Sequence, residues 1–240
     1  MITFLIDNQK VNCPVSWEEV SIASAIKLRT ANTLSEIFNA LTGFEFPIED
    51  FQVRNQIYPF ITFVSDNIDF DKLPMPEKIG DYVPLKNLGH GTFGQKIQAQ
   101  RIISNAFKGN PKKVDVTSFM IPVLRVYMPE QTDISSLPFI KYYPVFNHYC
   151  NEIIRLVGRD KKYLDSRPDP ELTLAGIDKL SHFGEMRIID QLAEGNLIKY
   201  DEILKMEYDV IFKKLWYMKE MNDLTERVNR IRLRKQKQAA

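Results

Sequence analysis

The chain has 240 residues, of which 44% are hydrophobic and 26% charged; this is the composition of an ordinary globular protein, and the length allows a sizeable buried core. No apolar run reaches the roughly 20 residues that a membrane-spanning helix needs, and the N-terminus lacks the basic start of a signal peptide. The net charge of +1 is uneven, because residues 227–240 hold six of the 32 Lys and Arg and no acid, which leaves residues 1–226 with 26 bases against 31 acids, a net charge of −5.

The N-terminal residues have the pattern of a β-hairpin. Residues 2–6 (ITFLI) and 10–13 (KVNC) are short β-prone runs, and Asp7–Gln9 supplies turn-forming residues between them. Pro14 then ends the second predicted strand. We therefore expect one small antiparallel sheet at the start of the chain.

Two capping-box patterns follow the hairpin and predict helix starts. Ser16 with Glu19, and Thr33 with Glu36, both have a hydroxyl that can cap a helix amide and a carboxylate that can reach back. Gly43 stands where the second of these helices should end, because glycine readily adopts the left-handed conformation of a helix C-cap.

The middle of the chain is predicted to mix helices and loops. Over residues 44–92 we expect both, with Ile79–Tyr82 turning a small second hairpin. Three helices are then predicted, at residues 93–108, 114–128 and 138–157. Gly158 is expected to stop the third of these helices.

The C-terminal part is predicted to be helical and separated by a linker. Residues 161–172 are charged and proline-rich, so they predict a linker between an N-terminal domain at 1–160 and a C-terminal region at 173–240. A long helix is expected from about Tyr208 to Arg234. The predicted fold class is therefore mainly α with a small N-terminal β-hairpin (α+β), ending in a long amphipathic helix.

That last helix carries an apolar stripe at steps of three and four residues: Ile211, Leu215, Met218, Met221, Leu224, Val228 and Ile231. Such a stripe packs either on the rest of its own chain or on a partner, and the sequence leaves both open. If it meets a partner, the candidate partner-binding residues are Leu215, Trp216, Met218, Leu224, Val228, Arg230, Ile231 and Arg234.

The segment LGHGTFG (88–94) matches the G-x-G-x-x-G pattern of a phosphate-binding loop and raises the alternative of a kinase-like nucleotide-binding protein. Residues 158–160 (GRD) and 182–184 (HFG) partly resemble the kinase H-R-D and D-F-G motifs. However, His182 replaces the metal-binding Asp, and Lys96 replaces the Val that covers the adenine. The kinase alternative therefore fails at the residues that carry its chemistry.

A helix entrance explains the same segment without a nucleotide. Thr92 and Gln95 form a third capping-box pattern, and Gly109 is expected to end the helix that follows. Gly89 and Gly91 are expected to provide positive φ angles for the entering chain. Weak anion binding at this helix N-terminus stays open.

The remaining reactive residues form no pattern of a known site. Cys13 and Cys150 have no CxxC or Cys/His spacing, which suits a reducing compartment and argues against a disulfide or zinc site. His90, His148 and His182 are scattered along the chain. We therefore predict no catalytic residue, no cofactor and no metal site.

Two stretches resemble proteins encoded in the tail modules of tailed bacteriophages. The first is the hairpin followed by P-x-S-W-x-x-V, here Pro14–Val20, and a helix with a glycine stop, over residues 1–45. The second is the charged helical stretch at residues 180–225, which is similar more loosely. The family comprises tail assembly chaperones and baseplate-hub-associated proteins, so the resemblance implies a non-enzymatic role in which no catalytic residue is expected.

We therefore expect a protein that acts through protein–protein contacts in phage tail assembly, or as a component of the virion baseplate or hub. Its expected partners are other tail or baseplate proteins, or a second copy of itself. Its expected location is the host cytoplasm during assembly, or the virion tail. A nucleic-acid contact through the basic residues 227–240 is the alternative, although this tail lacks the interleaved aromatics of a single-strand-binding surface.

Overall fold

A computed structural model describes residues 1–6, 8–46, 48, 51–66, 68–108, 116–165 and 173–239. The chain is mainly helical with one two-stranded antiparallel sheet, which confirms the predicted fold class. The strands are β1 (Ile2–Ile6) and β2 (Gln9–Cys13). The helices are α1 (Ile22–Leu28), α2 (Leu34–Thr42), α3 (Phe51–Ile61), α4 (Phe93–Ala106), α5 (Met120–Tyr127), α6 (Phe139–Leu164), α7 (Met186–Leu192), α8 (Tyr200–Lys205) and α9 (Tyr208–Ala239).

The predicted hairpin is present. Its strands pair with Ile2 opposite Cys13 and Phe4 opposite Val11. Asn8 takes φ 63° in the turn, a left-handed conformation that asparagine tolerates better than most residues, whereas Asp7 lies outside the described residues. Val11 and Cys13 are buried, so one face of the hairpin packs on the helices.

One of the two N-terminal capping boxes is confirmed and the other is wrong. Thr33 and Glu36 cap α2 reciprocally, and Gly43 ends it at φ 73°. Ser16 makes no capping hydrogen bond with its side chain. The carboxylate of Glu19 instead accepts from the Val15 amide at 2.9 Å and pairs with the N-terminal amino group.

Contacts divide the chain into two compact units. The first contains residues 1–84 and 101–150, and the second contains residues 85–100 and 151–240. Each unit is discontinuous in sequence, whereas the predicted domains, 1–160 and 173–240, are contiguous. The structure describes residues 161–164 as helix and leaves 166–172 undescribed, so the linker stays a prediction.

The first unit has an aromatic core. Trp17 packs edge-on against Phe63 and Phe70, and its Nε1 donates to the Phe63 carbonyl at 3.0 Å.

Cys13 and Cys150 are free, and burial raises the pKa of their thiols to about 11 and about 12 respectively. Both thiols are therefore protonated and weakly reactive near neutral pH.

The predicted second hairpin is reduced to a tight turn. Ile79 and Tyr82 form one isolated antiparallel bridge around Gly80, which takes φ 59°. The turn was predicted from its glycine, but the flanking residues do not pair further as strands. The Tyr82 hydroxyl is held by the Tyr149 hydroxyl of α6.

The second unit contains the N-terminal half of α4, the C-terminal half of α6 and everything beyond. The predicted stop at Gly158 is wrong, because α6 continues to Leu164. Arg159 and Asp160, the next two residues, make ion pairs that hold the extra turns in place. Gly195, by contrast, follows α7 with φ 75°, a left-handed conformation that favours glycine.

The other predicted helices lie close to their expected positions. α4 ends at Ala106, a little before the predicted 108, and Gly109 falls outside the described residues. Of the helix predicted at 114–128, residues 114 and 115 lie outside the described residues. Val116–Phe119 form a 3₁₀ turn that leads into α5. In the part of the chain that the structure describes, no helix combines the length and apolar content needed to cross a bilayer.

Candidate functional site

The glycine-containing loop before α4 is a helix entrance. Residues Leu88–His90 form a 3₁₀ turn, and the Asn87 side chain accepts from the Gly89 amide at 2.9 Å. The predicted capping box is confirmed. The Thr92 amide donates to Gln95 Oε1 at 2.9 Å, and the Gln95 amide donates to Thr92 Oγ1 at 3.1 Å.

The reason predicted for the glycines of this loop is wrong. Neither Gly89 nor Gly91 has a positive φ angle. The carboxylate of Asp209 lies against Gly89 in the space that a Cβ would need. A Cβ on Gly94 would lie 3.1 Å from the Leu204 carbonyl oxygen. Gly89 and Gly94 therefore allow a close approach of other segments rather than an unusual backbone conformation.

The amides of the loop are already used. Every backbone N–H from Leu88 to Phe93 donates a hydrogen bond within the chain. Taken from Leu88 to Phe93, the acceptors are Glu152 Oε2, Asn87 Oδ1, the Asn87 carbonyl, the Leu88 carbonyl, Gln95 Oε1 and the Met206 carbonyl. Phosphate-binding loops instead point such amides at the ligand. The carboxylates of Glu152, Glu207 and Asp209 also lie at the loop. They pair with Arg155, His90 and Arg159, so these basic side chains are already engaged by acids of the chain.

A cluster of paired charges fixes the start of α9 in place. We call this cluster the helix-base cluster; its residues are Lys96, Arg159, Asp160, Tyr208 and Asp209. Lys96 is 7% exposed, and its Nζ lies 2.7 Å from Asp160 Oδ2. The Tyr208 hydroxyl donates to the other oxygen of Asp160. Arg159 Nη1 donates to Asp209 Oδ1 at 2.7 Å. The two cations and two carboxylates balance, as buried charges must.

Aromatic rings complete the helix-base cluster. Lys96 Nζ lies 4.9 Å from the centre of the Tyr208 ring, and Arg159 Cζ lies 4.0 Å from that of Phe212. Arg159 Nε and Nη2 are buried with no hydrogen-bond acceptor among the described residues, and the Phe212 ring offers their guanidinium a cation–π contact. Burial and the hydrogen bond to Asp160 raise the pKa of Tyr208 above its usual range, which keeps its hydroxyl a donor.

The backbone ties the same two segments together. The Phe93 amide donates to the Met206 carbonyl at 2.8 Å, and the Tyr208 amide donates to the Gly91 carbonyl at 2.8 Å. These bonds flank an isolated bridge between Thr92 and Glu207. The first residues of α9 are therefore fixed by side-chain and main-chain contacts at once.

His90, Glu207 and Asp209 each offer one ligand atom, and these atoms lie within 4.8 Å of one another. One imidazole and two carboxylates form a donor set that zinc accepts. His90 Nδ1 is already 2.7 Å from Glu207 Oε1, and Asp209 is paired with Arg159. These pairs explain the cluster without an ion. The sequence did not reveal it, because its members come from two distant segments.

A cavity of about 460 Å³ lies beside the helix-base cluster. Its lining residues are Phe93, Lys96, Gln100, Asp160, Lys161, Leu164, Asp165, Gly184, Glu185, Ile188, Tyr208 and Leu215. The ammonium of Lys96 and the carboxylate of Asp160 face each other there, so these two charges in its wall neutralise each other.

Helix α9 has one buried face near its start. Tyr208, Ile211 and Phe212 are buried, and Leu215 is half-buried. Trp216 lies at the edge of this face, 40% exposed, with its ring 5.2 Å from that of Tyr163. Intramolecular packing of the predicted stripe is therefore real, but it covers only the first turns of the helix.

The opposite face of α9 is apolar and exposed. Tyr217, Met221, Leu224, Val228 and Ile231, which we call the seam, are each between 37% and 61% exposed. At about 100° per residue they lie within an arc of about 80°. The buried face at the start of the helix lies on the other side. The seam is therefore not a continuation of the buried face.

The eight predicted partner-binding residues divide between these surfaces. Leu215 and Met218 are half-buried near the base, and Trp216 borders it. The exposed ones are Trp216, Leu224, Val228, Arg230, Ile231 and Arg234. Of the two arginines, Arg230 pairs with Glu226 at 3.2 Å. Whether these residues bind a partner stays a prediction.

Sequence reasoning missed two features of this region. Tyr217 belongs to the seam but was not included in the predicted stripe. That stripe combined residues of both faces of α9 and passed from Leu215 to Met218 without including Tyr217. Tyr217 does belong to the strict alternation of four and three residues that runs through Met221, Leu224, Val228 and Ile231. The helix-base cluster had no sequence signal, since its members lie far apart along the chain.

Comparisons with known proteins identify no relative. No protein-family model matches the chain, and neither the curated proteins nor the solved structures yielded a similar one.

Proposed function

We propose that this protein is a non-enzymatic assembly protein that acts through protein–protein contacts, with the seam of α9 as its docking surface. The observation that carries this proposal is the position of the seam. Its five apolar side chains are aligned and exposed on the face of α9 opposite the one that anchors the helix. Apolar residues scattered singly on a surface need no explanation, but an aligned row of them does.

The physics of helices supports the same conclusion. Beyond about residue 219, α9 packs on little else of its own chain, and all its described side chains except Asp223 are exposed. Most of the stability of helices in proteins comes from the packing of an apolar face rather than from helix propensity. Pairs such as Lys219–Asp223 and Arg230–Glu226 add a few tenths of a kcal/mol each. A partner on the seam would supply the missing packing.

We place this role in the assembly or structure of a phage tail on the sequence resemblance alone. A tail assembly chaperone would act in the host cytoplasm and be absent from finished particles, whereas a baseplate or hub component would remain in the virion. Mass spectrometry of purified virions of the encoding phage separates the two. If disrupting its gene leaves infectious particles with normal tails, the phage role is wrong.

Photo-crosslinking tests the docking surface directly. Ile231 in the seam and Leu233 on the opposite face are two residues apart and similarly exposed, at 54% and 57%. A photoreactive amino acid at position 231 should capture a defined partner in cells that produce the full set of assembly proteins. The same group at position 233 should not. Equal capture from both positions, or none from position 231, contradicts the proposal.

The basic end of α9 supports a second candidate function, contact with nucleic acid. Arg227, Arg232 and Arg234 are exposed, and the ion pairs of the described residues do not include them. Phosphate contacts make affinity fall steeply with salt. DNA binding that weakens steeply with salt and disappears on removing residues 227–240 would support this function. Binding that survives the truncation would exclude it.

A further inference from the structure

We infer that the partner of the seam is a second copy of this chain, with the two α9 helices packed antiparallel. This inference rests on the proposed function, in that the seam must be a docking surface at all. It goes further by naming the occupant and its direction.

The spacing of the seam is that of a two-stranded coiled coil. Tyr217, Met221, Leu224, Val228 and Ile231 follow one another at intervals of four, three, four and three residues. This interval averages 3.5 residues and defines the a and d positions of a heptad. Met221 and Val228 take the a positions, and the other three take the d positions. The same face of another such helix is the natural complement, because a and d side chains pack into the spaces between their counterparts.

The flanking charges oppose a parallel pair. In parallel helices, residue g of one copy meets residue e of the next heptad in the other. Arg227 would then face Arg232 of the second copy, twice by symmetry. Lys235 continues the heptad at position a, so it would face Lys235 of the second copy inside the seam. Like charges at these positions destabilise a pair.

An antiparallel pair centred near residue 226 brings opposite charges together. Met221 would pack against Ile231 of the second copy, and Leu224 against Val228. Glu220 at position g would then meet Arg234 of the second copy, again twice by symmetry. Lys235 would meet the ring of Tyr217 of the second copy, where a cation–π contact is available. The one like-charged contact is Arg227 with its own copy at the two-fold axis.

The distribution of charge along the helix points the same way. Residues 219–226 contain one base and three acids, and residues 227–237 contain six bases and no acid. Antiparallel pairing sets the acidic stretch of each copy beside the basic stretch of the other, whereas parallel pairing sets like beside like. The paired stretch, 217–235, is about 28 Å long, enough for six side-chain layers.

Sedimentation equilibrium over a wide range of protein concentrations tests the pairing. Wild-type protein should convert from monomer to dimer as concentration rises. Ile231→Glu places a carboxylate in two apolar layers by symmetry and should raise the dissociation constant by about 100-fold or more. Leu233→Glu makes the same chemical change on the opposite face and should leave it within about threefold. A wild-type chain that stays monomeric, or equal effects of the two variants, overturns the inference.

Cysteine crosslinking tests the direction. Met221→Cys and Ile231→Cys, each prepared alone and then mixed, should form a disulfide-linked dimer only in the mixture. Parallel pairing would instead crosslink each variant with itself, and that result overturns the antiparallel arrangement. The wild-type chain is the control. Burial raises the pKa of its own thiols, Cys13 to about 11 and Cys150 to about 12, so they should react slowly.

Exchanging the charges of one predicted ion pair between the two helices gives a test in which affinity is first lost and then restored. A misfolded variant would not regain affinity on a second substitution. Glu220→Arg alone should weaken the dimer by about tenfold, since it places two arginines together twice. Adding Arg234→Glu in the same chain should restore the affinity in the antiparallel pair. Failure of the second change to restore it overturns the predicted register.

These experiments separate the inference from the function it rests on. If the chain is monomeric but a photoreactive group at position 231 still captures another assembly protein, the inference fails and the proposed function stands. If the dimer forms as described but Ile231→Glu leaves assembly unaffected, the inference stands and the proposed function fails.

Discussion

At the scale of single residues, the second unit depends on close contacts that only certain side chains allow. Gly89 accommodates a carboxylate where every other residue has a Cβ, and Lys96 is buried only because Asp160 neutralises it. Neither requirement is visible locally in the sequence, because the contacting residue lies in a distant segment in each case.

Two glycine substitutions should have opposite effects on stability. Gly89→Ala should lower the free energy of unfolding by about 1–3 kcal/mol, because the new Cβ displaces the carboxylate of Asp209 from its place beside Arg159. Gly158→Ala should raise it by about 0.5–1 kcal/mol, since Gly158 lies inside α6 with open space around it. Urea denaturation measures both. A stabilising Gly89→Ala would show that the close approach of Asp209 is wrong.

Removing one partner of the buried ion pair should lower the free energy of unfolding more than replacing both partners with apolar residues. Asp160→Ala leaves the Lys96 ammonium buried without its carboxylate and should cost about 3–5 kcal/mol. The double variant Lys96→Met with Asp160→Leu should recover part of this loss, because an apolar pair needs no neutralisation. The recovery is incomplete because the Tyr208 hydroxyl loses its acceptor. A double-mutant cycle that also includes Lys96→Met alone and Asp160→Leu alone, measured by urea denaturation, gives the coupling energy. Additive effects would mean that the two side chains do not interact.

Buried tyrosines should make the protein sensitive to alkali. Burial raises the pKa of Tyr82, Tyr127 and Tyr208 above the usual value of 10.0, with further contributions from Tyr149 at Tyr82 and from Asp160 at Tyr208. The folded chain therefore holds these protons more tightly than the unfolded chain. The resulting stability is complete below about pH 10 and is lost as the pH rises above it. Urea midpoints at increasing pH measure this loss, and Tyr208→Phe should make the slope shallower.

At the scale of elements, local signals predicted helix starts better than helix ends. The Thr33–Glu36 and Thr92–Gln95 boxes form as predicted, because both partners lie within four residues. Ser16–Glu19 has the same pattern but fails, since Glu19 is taken by the N-terminal amino group. Gly158 fails as a stop because the ion pairs of Arg159 and Asp160 outweigh the cost of about 1 kcal/mol for a glycine in a helix.

The sequence predicted that the candidate docking surface lies on the last helix, but it predicted only some of the residues that form that surface. The seam is a periodic pattern within one helix, so its residues can be read from the sequence. Which face of that helix is buried depends on Lys96, Arg159 and Asp160, whose proximity to α9 is a property of the fold. For this reason the predicted stripe combined residues of both faces.

Truncation should show that the distal part of α9 adds little to the stability of its own chain. Removing residues 220–240 from a dilute sample should change the free energy of unfolding by less than about 0.5 kcal/mol, because the side chains removed are mostly exposed. If the seam binds a second copy, the melting temperature of the full chain should also rise with protein concentration, and that dependence should vanish in the truncated chain. A loss of several kcal/mol in the dilute sample would contradict this prediction.

At the scale of the whole molecule, two helices run unbroken from one compact unit into the other. α4 crosses the boundary after Gln100, and α6 crosses it after Cys150. A helix propagates cooperatively, so melting one half of either helix weakens the other. The two units are therefore expected to lose structure together, although their residues alternate along the chain.

The two tryptophans make this cooperativity measurable, because Trp17 belongs to the first unit and Trp216 to the second. The variants Trp216→Phe and Trp17→Phe each leave one fluorescent probe in one unit. For each variant, the urea midpoint measured by fluorescence should equal the midpoint measured by circular dichroism, as two-state unfolding requires. Midpoints that differ clearly between the fluorescence and the circular dichroism of one variant would show that the units unfold separately.

The opposition of the two faces of α9 has a consequence for how such a protein can evolve. The side chains that hold the helix in place, Tyr208, Ile211 and Phe212, are distinct from those of the seam. Mutations can therefore accumulate along the seam and alter which partner is recognised while the fold is maintained. Among divergent descendants of this sequence, we expect Lys96 and Asp160 to change together. The seam should instead change in step with whatever it binds.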